Sequence, residues 1–269
     1  MFNKIWSLRN RFDYFLRQRF QWRRKGLVLP ENQNNTFQTA KKQRKHQDIE
    51  QQLIRDYDLT DIIRRGSREN YLTNLYYLSI LEKAFSALVY PMPDVVIAGD
   101  VGCSSWFYVR ALWAFMNGWQ KKEKPRKIEC HGYEVDAYRP YLDLYSRFDY
   151  AAAYTKKLDN VFYHPTAFET LPEKFDIIFQ FFPFIFIRDH LQWGLPDDYF
   201  GPQDLLNKII RSLKPGGIFI TANQGEKEHL VQMDMLRDTE MQIKVKFKIE
   251  NPFSHYVINH YLIAAKKNG

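Results

Sequence analysis

A turn of small residues near the middle of the chain has the composition of a ligand-binding turn. It follows the apolar run 95–98 and consists of Asp100, Gly102, Cys103, Ser104 and Ser105. Small residues let a ligand approach the backbone, and the free N–H groups at the start of the next helix point towards it. Glu134 ends the following apolar run, where a carboxylate can accept hydrogen bonds from both hydroxyls of a ribose. The pattern predicts a site for a nucleotide-type cofactor.

The elements that position these residues alternate between strand-like and helix-like runs, which is the pattern of a parallel sheet with crossover helices. Strands are predicted at 95–98, 128–135, 160–163, 175–181, 218–223 (after a Pro-Gly-Gly turn), 242–249 and 256–266. Helices are predicted directly after the first turn and at 138–158, 205–213 and 226–237. The last two strands are separated by a short segment that suits an antiparallel hairpin. The predicted fold class is α/β: a Rossmann-like, seven-stranded, mostly parallel sheet with a C-terminal antiparallel hairpin.

A basic extension precedes this sheet. The net charge of +8 lies within residues 1–70, which contain 16 Lys or Arg and 8 Asp or Glu, whereas residues 71–269 contain 23 of each. We therefore divide the chain into an N-terminal helical extension, 1–70, and a cofactor-binding domain, 71–269. Residues 31–46 have almost no apolar content and are interpreted as a linker. Helices are expected from Asp48 and from Ser67, the latter with Ser67 as N-cap, and both are expected to cover the cofactor edge of the sheet.

The first 30 residues combine arginines with aromatic side chains. Apolar residues at helical spacing form one stripe: Ile5, Leu8, Phe12, Phe15, Leu16 and Phe20. Three interpretations remain open. The stripe packs on the domain with solvated arginines, or the helix lies on an anionic membrane, or it is an RNA-binding arm. The arginines interrupt any secretory signal.

Composition excludes several classes of protein. Apolar residues make up 45% and aromatic residues 16% of the chain, which indicates a folded globule. No run has the roughly 18 apolar residues of a membrane span. Cys103 and Cys130 lie without metal-ligand or disulfide spacing, so neither a metal site nor a disulfide is predicted, and a reducing, cytoplasmic location is expected, with peripheral contact to a membrane surface as an open alternative.

In their joint order, the motifs of residues 90–267 resemble those of the class I S-adenosylmethionine-dependent methyltransferases. DVGCSS resembles the acidic-glycine turn of that family, GYEVD its ribose-binding acid, PTAF its adenine-contacting segment, FDIIFQFFPF its fourth strand and LKPGGIFI its fifth. The resemblance implies methyl transfer from S-adenosylmethionine to an O or N acceptor by in-line displacement. The cofactor-binding residues that it implies are Asp100, Gly102, Cys103, Ser104, Glu134, Thr166, Ala167 and Gln180.

The sequence departs from the family pattern at three places. Ser104 and Trp106 stand where the turn commonly has glycines, and Thr166 replaces a frequent acid. The fourth strand lacks the Asn or Asp that precedes Pro-Pro-aromatic in many enzymes that methylate base amines. These departures motivate an alternative, a non-catalytic Rossmann-like module that has lost cofactor binding. A nicotinamide-linked oxidoreductase is disfavoured because GxGxxG is absent.

No catalytic residue is assigned from the sequence, because methyl transfer depends mainly on alignment and needs a base only for some acceptors. The side chains available as a base are His164, Asp189, His190, Glu226 and Glu228. An insert at 182–204, after the fourth strand, contains aromatic residues that could wall an acceptor pocket or simply cover the sheet edge. The acceptor itself, a small molecule or a macromolecule, is not identified by the sequence.

Overall fold

The computed structural model of the chain describes residues 2–30, 44–57, 59, 62, 66–120, 124–250, 253 and 257–269. The helices are α1 (Phe2–Phe20), α2 (Arg44–Asp56), α3 (Arg68–Leu88), α4 (Val109–Gly118), α5 (Arg147–Thr155), α6 (Ile187–Gln192), α7 (Pro202–Ser212) and α8 (Gly225–Arg237). The strands are β1 (Val95–Val101), β2 (Lys127–Tyr133), β3 (Val161–His164), β4 (Phe175–Phe181), β5 (Leu213–Gln224), β6 (Met241–Ile249) and β7 (His260–Lys267). The predicted linker falls outside the described residues, except for its last three positions, which begin α2.

Seven strands form one sheet in the order β3-β2-β1-β4-β5-β7-β6. β1 pairs in parallel with β2 and β4, and β4 pairs in parallel with β5. β7 lies antiparallel between β5 and β6. From β1 the sheet is built outward in both directions, with β2 and β3 on one side and β4 and β5 on the other. In such sheets ligands bind where the direction changes, in the crevice at the carboxyl ends of the two neighbouring strands, which here are β1 and β4. The predicted fold class is confirmed.

Both faces of the sheet are covered, which explains the apolar runs of the central strands. One face packs against α3 and α4 through residues such as Leu78, Phe85 and Phe115. The other packs against α7 and α8, where Leu206, Ile209 and Leu236 contact Phe219 of β5. The helices on the two faces hold the strands in place, and with them the residues at the carboxyl ends of the strands.

Helix α3 is anchored by polar side chains as well as by its apolar face. Ser67 caps it by accepting a hydrogen bond from the Asn70 N–H at 3.1 Å, as predicted. The Asn74 amide donates to the Phe107 carbonyl and accepts from the Ala111 N–H at 3.0 Å, which ties α3 to α4. α3 therefore lies on a face of the sheet, and the expectation that it also covers the cofactor edge stays a prediction. The proposed division at residues 70 and 71 falls in its first turn and stays a prediction.

The helix predicted at 138–158 is shorter than expected. Pro140 cannot continue a helix, and the chain forms an irregular loop up to Ser146. A capping box then starts α5: the Ser146 side chain accepts from the Asp149 N–H, and the Asp149 carboxylate accepts from the Ser146 N–H. The loop 134–146 thus stays at the carboxyl edge of the sheet, beside the site.

Helix α1 lies across this edge with its polar face inward. Asn10 donates to the carbonyls of Leu191 and Leu195, and Gln18 donates to the Val135 carbonyl at 3.0 Å. Leu8, Phe12, Phe15 and Phe20 of the predicted stripe are exposed to solvent instead, and Leu16 is half-buried. For these described residues the interpretation in which the stripe packs on the domain is wrong, because the surface that α1 meets presents the Asp136 carboxylate and several carbonyl oxygens.

Candidate functional site

The turn after β1 has a glycine-like backbone at three alternate positions. Gly102, Ser104 and Trp106 have φ values of 77°, 54° and 52°, all in the left-handed region. Only glycine adopts this region without steric cost, so Ser104 and Trp106 are strained. A methyl group placed on the Gly102 Cα would meet no atom within 4 Å. The turn therefore leaves open space directly beside its first glycine.

Trp106 does not fill that space, because its indole is completely buried beneath the turn. The indole packs against the backbone of Gly132 in β2, where an added Cβ would lie 2.8 Å from the ring. The Trp106 Nε1–H donates to Asp100 Oδ2 at 2.7 Å. A glycine in the neighbouring strand thus makes room for the tryptophan that replaces a glycine of the turn.

Asp100 ends β1 and is fully buried. Its Oδ1 accepts no hydrogen bond. Burial raises the pKa of Asp100 to about 7, although the neighbouring Tyr108 and Trp106 donors oppose the shift. Asp100 thus holds the Trp106 indole with one carboxylate oxygen, and its other oxygen is buried without a hydrogen bond.

Glu134 lies against the same turn, as the sequence predicts for an acid at the end of the second strand. Its Oε2 accepts from the Ser104 N–H at 2.8 Å, and its Oε1 accepts from the Asp136 N–H at 2.8 Å. The guanidinium of Arg147 donates to Oε1 at 3.2 Å. Because an ionised carboxylate has about four acceptor positions, roughly one remains free.

A buried charge cluster next to Glu134 has no counterpart in the sequence interpretation. Asp136 is fully buried and accepts two hydrogen bonds from Arg17 of α1, at 2.7 Å and 3.1 Å. Arg147 lies 4.0 Å from the Asp136 carboxylate, and Arg139 lies 3.6 Å from it. The only signal in the sequence is the second acid of the string GYEVD. The cluster joins α1 to the segment that follows β2.

The other predicted cofactor-binding residues differ in how far they are buried. The Cys103 thiol is buried and donates to the Tyr133 carbonyl at 3.6 Å. Thr166 is exposed and Ala167 half-buried in the segment after β3. Gln180 is buried on β4, paired with Thr221 of β5. Their contribution to a cofactor site stays a prediction.

The five candidate bases have different environments. His190 is buried and its Nε2 lies 2.7 Å from the Pro196 carbonyl, so it stabilises the insert. His164 Nε2 lies 2.9 Å from His131 Nδ1 and is thereby held in the β2–β3 layer.

Glu228, in the first turn of α8, differs from these histidines. Its Oε2 accepts from the Gln224 N–H at 2.8 Å. Burial and the nearby charge of Asp189 raise the pKa of Glu228 to about 7, and the Gln224 N–H opposes the shift. A carboxyl group with this pKa can accept a proton near neutral pH. Glu226, in the same turn, is exposed.

The insert after β4 places aromatic side chains beside α1. Phe184 packs edge-on against His190, and Tyr199 lies 4.9 Å from the Tyr14 ring of α1. Trp193 is partly exposed, with the Arg147 guanidinium 5.1 Å from its ring centroid. Part of the insert therefore supports α1, and Trp193 reaches the buried charge cluster.

In the described part of the chain, no group of three or more His, Cys, Asp or Glu side chains is arranged to hold a metal ion. Among the same residues, no helix has the length and apolar character needed to cross a membrane.

No family model matches the chain, and no curated protein matches it. Solved structures of similar fold include a SAM-dependent methyltransferase from Aquifex aeolicus, with 16% identity and a TM-score of 0.48 over 71% of this chain and 89% of that one. The N-methyltransferase NodS from Bradyrhizobium japonicum has 12% identity and a TM-score of 0.46 over 71% of this chain and 97% of that one. The cyclase SpnF has 13% identity and a TM-score of 0.47 over 71% and 80%. The likeness is one of fold.

Proposed function

We propose that the chain is a methyltransferase that binds S-adenosylmethionine at the turn after β1 and moves its methyl group to an O or N acceptor. The observation that supports this most directly is the backbone of the turn, which keeps φ above 50° at Ser104 and Trp106 although neither is glycine. Strained backbone of this kind persists where the surrounding structure enforces it, and it concentrates at ligand sites.

The residues of the turn fit such a cofactor. The open space at Gly102 admits a ligand against the backbone, and Asp100 Oδ1 is an acceptor without a partner. Glu134 would accept a ribose hydroxyl at its remaining position. Bound S-adenosylmethionine would supply an electrophilic methyl group on a sulfonium; the protein's own part is to orient cofactor and acceptor and to exclude water.

A second candidate function, a scaffold that no longer binds the cofactor, is favoured by the environment of Glu134. Its carboxylate already accepts three N–H groups, one of them from buried Arg147. Helix α1 also covers the adjacent segment through Arg17 and Gln18. In this alternative, protein donors permanently take the place of the ribose.

Calorimetric titration of the full chain with S-adenosylmethionine and with S-adenosylhomocysteine separates the two functions. The test variant is Gly102→Ala, whose methyl group enters the open space at the turn. Gly26→Ala is a matched control, because Gly26 also has a positive φ, 86°, and open space at its Cα. Both substitutions add the same backbone strain, so a difference in binding reports the site.

We expect Gly102→Ala to weaken binding at least tenfold, which corresponds to about 1.4 kcal/mol. Gly26→Ala should leave affinity unchanged. A folded wild-type sample that gives no heat with millimolar ligand would establish the scaffold alternative.

A second pair of variants tests the acid. Glu134→Ala is unsuitable because it would leave buried Arg147 without its nearest carboxylate, so Glu134→Gln, which retains the shape, is preferred. Exposed Glu169→Gln is its control. Weaker binding of both ligands by Glu134→Gln alone is expected. An unchanged dissociation constant would remove Glu134 from the cofactor site.

A further inference from the structure

The outer face of α1 is an exposed apolar surface on a helix that is firmly attached to the protein by its other side. Leu8, Phe12 and Phe15 are 70%, 63% and 62% exposed. On the opposite side, Asn10, Gln18 and Arg17 bond the segments around β2 and α6. The usual orientation of an amphipathic helix in a globular protein is the reverse. The polar contacts therefore hold the apolar face outward.

This apolar surface continues beyond the end of α1. Phe20 and Trp22 are exposed, and the Trp22 indole N–H donates to the Leu144 carbonyl at 2.7 Å. That bond brings the loop after β2 alongside, where Leu142 and Leu144 are also exposed. We name these exposed apolar side chains together the outer surface; its members are Leu8, Phe12, Phe15, Phe20, Trp22, Leu142 and Leu144. Large contiguous apolar patches mark interaction sites.

Cationic side chains accompany the outer surface. On α1, Arg19 lies between Phe12 and Phe15 in helical projection. Arg9 lies on the other side of Phe12; its side chain is 81% exposed and forms a surface ion pair with Asp13 at 3.5 Å. Lys25 is exposed shortly after the helix end. A helix with Phe, Leu and Trp on one face and flanking arginines has the composition of helices that lie in the interface of an anionic membrane.

The remaining arginines of this region are already engaged by the protein. Arg11 pairs with Asp197 and Asp198, and Arg17 pairs with Asp136. The Arg23 guanidinium donates to the Tyr138 hydroxyl and lies 4.0 Å from the Phe148 ring centroid. The Arg24 guanidinium donates to the Asp143 carbonyl at 3.1 Å. RNA binding depends on many free phosphate-binding cations, and four arginines of this region are engaged by these contacts. Because these arginines are engaged while the neighbouring apolar side chains are exposed, the surface favours a bilayer over RNA.

From this geometry we propose that the outer surface docks the protein on an anionic bilayer, with α1 parallel to the membrane plane and Leu8, Phe12 and Phe15 inserted at the headgroup boundary. Arg9, Arg19 and Lys25 contact the lipid phosphates. This docking does not depend on methyl transfer. It would place the carboxyl edge of the sheet, which α1 covers, beside the membrane.

Flotation of the full chain with lipid vesicles tests the proposal. The vesicles are phosphatidylcholine alone or with about 30% phosphatidylglycerol, at low salt and at about 0.5 M salt. The test variant is Phe12→Ser/Phe15→Ser. Its matched control is Phe162→Ser/Leu230→Ser, which removes two exposed apolar side chains from β3 and α8, away from the outer surface.

We expect the wild type to bind the anionic vesicles and Phe12→Ser/Phe15→Ser to bind at least tenfold more weakly, with an unchanged thermal midpoint. The control should bind as the wild type does. Arg9→Gln/Arg19→Gln should weaken binding to anionic vesicles and lose less on going to high salt than the wild type does, because of the three cations only Lys25 remains.

Three results would overturn the proposal. The first is a folded wild type that does not float with anionic vesicles. The second is equal binding by Phe12→Ser/Phe15→Ser and its control. The third is a protein that does not bind vesicles and has another partner for the outer surface. That partner would be single-stranded RNA, bound in a salt-dependent way, or a second copy of the chain, in a dimer that Phe12→Ser/Phe15→Ser abolishes.

Discussion

Replacing Asp100 with asparagine should remove a loss of folding stability that the wild type suffers as the pH rises. Asp100 is fully buried, and burial raises its pKa from 3.8 to about 7. The unfolded chain therefore releases this proton at lower pH than the folded chain does. Stability from this group is fully present below pH 3.8 and is lost as the pH rises through about 7. The amide side chain of the Asp100→Asn variant has no proton to release.

The expected magnitude follows from the two pKa values. At somewhat over 1 kcal/mol per pKa unit, the wild type should lose roughly 2–3 kcal/mol between about pH 5 and about pH 8 through Asp100 alone. The Asp100→Asn side-chain carbonyl can still accept the Trp106 indole N–H. The variant should therefore keep its structure while losing this part of the pH dependence.

Urea unfolding of the ligand-free protein at the two pH values measures the effect. The quantity compared is the change in unfolding free energy between the two pH values, since other buried acids contribute equally in both proteins. Asp159→Asn, at an exposed position, is the control and should follow the wild type. Parallel pH dependence in the wild type and Asp100→Asn, with equal urea slopes, would show that Asp100 is ionised normally in the folded state.

Two further substitutions test the strained turn and its packing. Ser104→Gly should stabilise the protein by about 0.5–1 kcal/mol, because relief of the left-handed strain exceeds the added freedom of the unfolded chain; Ser104→Ala, which keeps the strain, should not, and chemical unfolding compares them. Gly132→Ala should destabilise by about 1–3 kcal/mol because its methyl group meets the Trp106 ring, and combination with Trp106→Leu should reduce that cost in the same assay. A stable Gly132→Ala protein would mean that the indole can move aside.

The local pattern of the sequence predicted most of the architecture. An apolar run, an acid, a small-residue turn and a helix identify β1 and its turn, and an acid after the second strand comes to lie 2.8 Å from that turn. Parallel strands align their carboxyl ends, so residues at the ends of β1 and β2 meet without further information. Helix limits were predicted less well where a proline intervenes, as at Pro140.

The direction of a buried side chain could not be predicted in this way. Trp106 stands at a glycine position, and this departure motivated the alternative in which cofactor binding is lost. In the fold, Gly132 lies opposite on the adjacent strand and accepts the ring, so the space beside Gly102 stays open. Only the pairing of β1 with β2 brings these residues together. Likewise, nothing in the sequence pairs Arg147 with Glu134.

By itself, the sequence predicted an amphipathic helix with an apolar stripe from Ile5 to Phe20, because periodicity states which side chains share a face. It did not determine which face meets the protein. That depends on the surface opposite, where the Asp136 carboxylate and the carbonyls of Val135 and Leu191 require donors. Arg17, Gln18 and Asn10 supply them, and buried acceptors left without donors would cost more than the exposure of Phe12 and Phe15. The tertiary structure therefore decided that the apolar face of α1 is exposed to solvent.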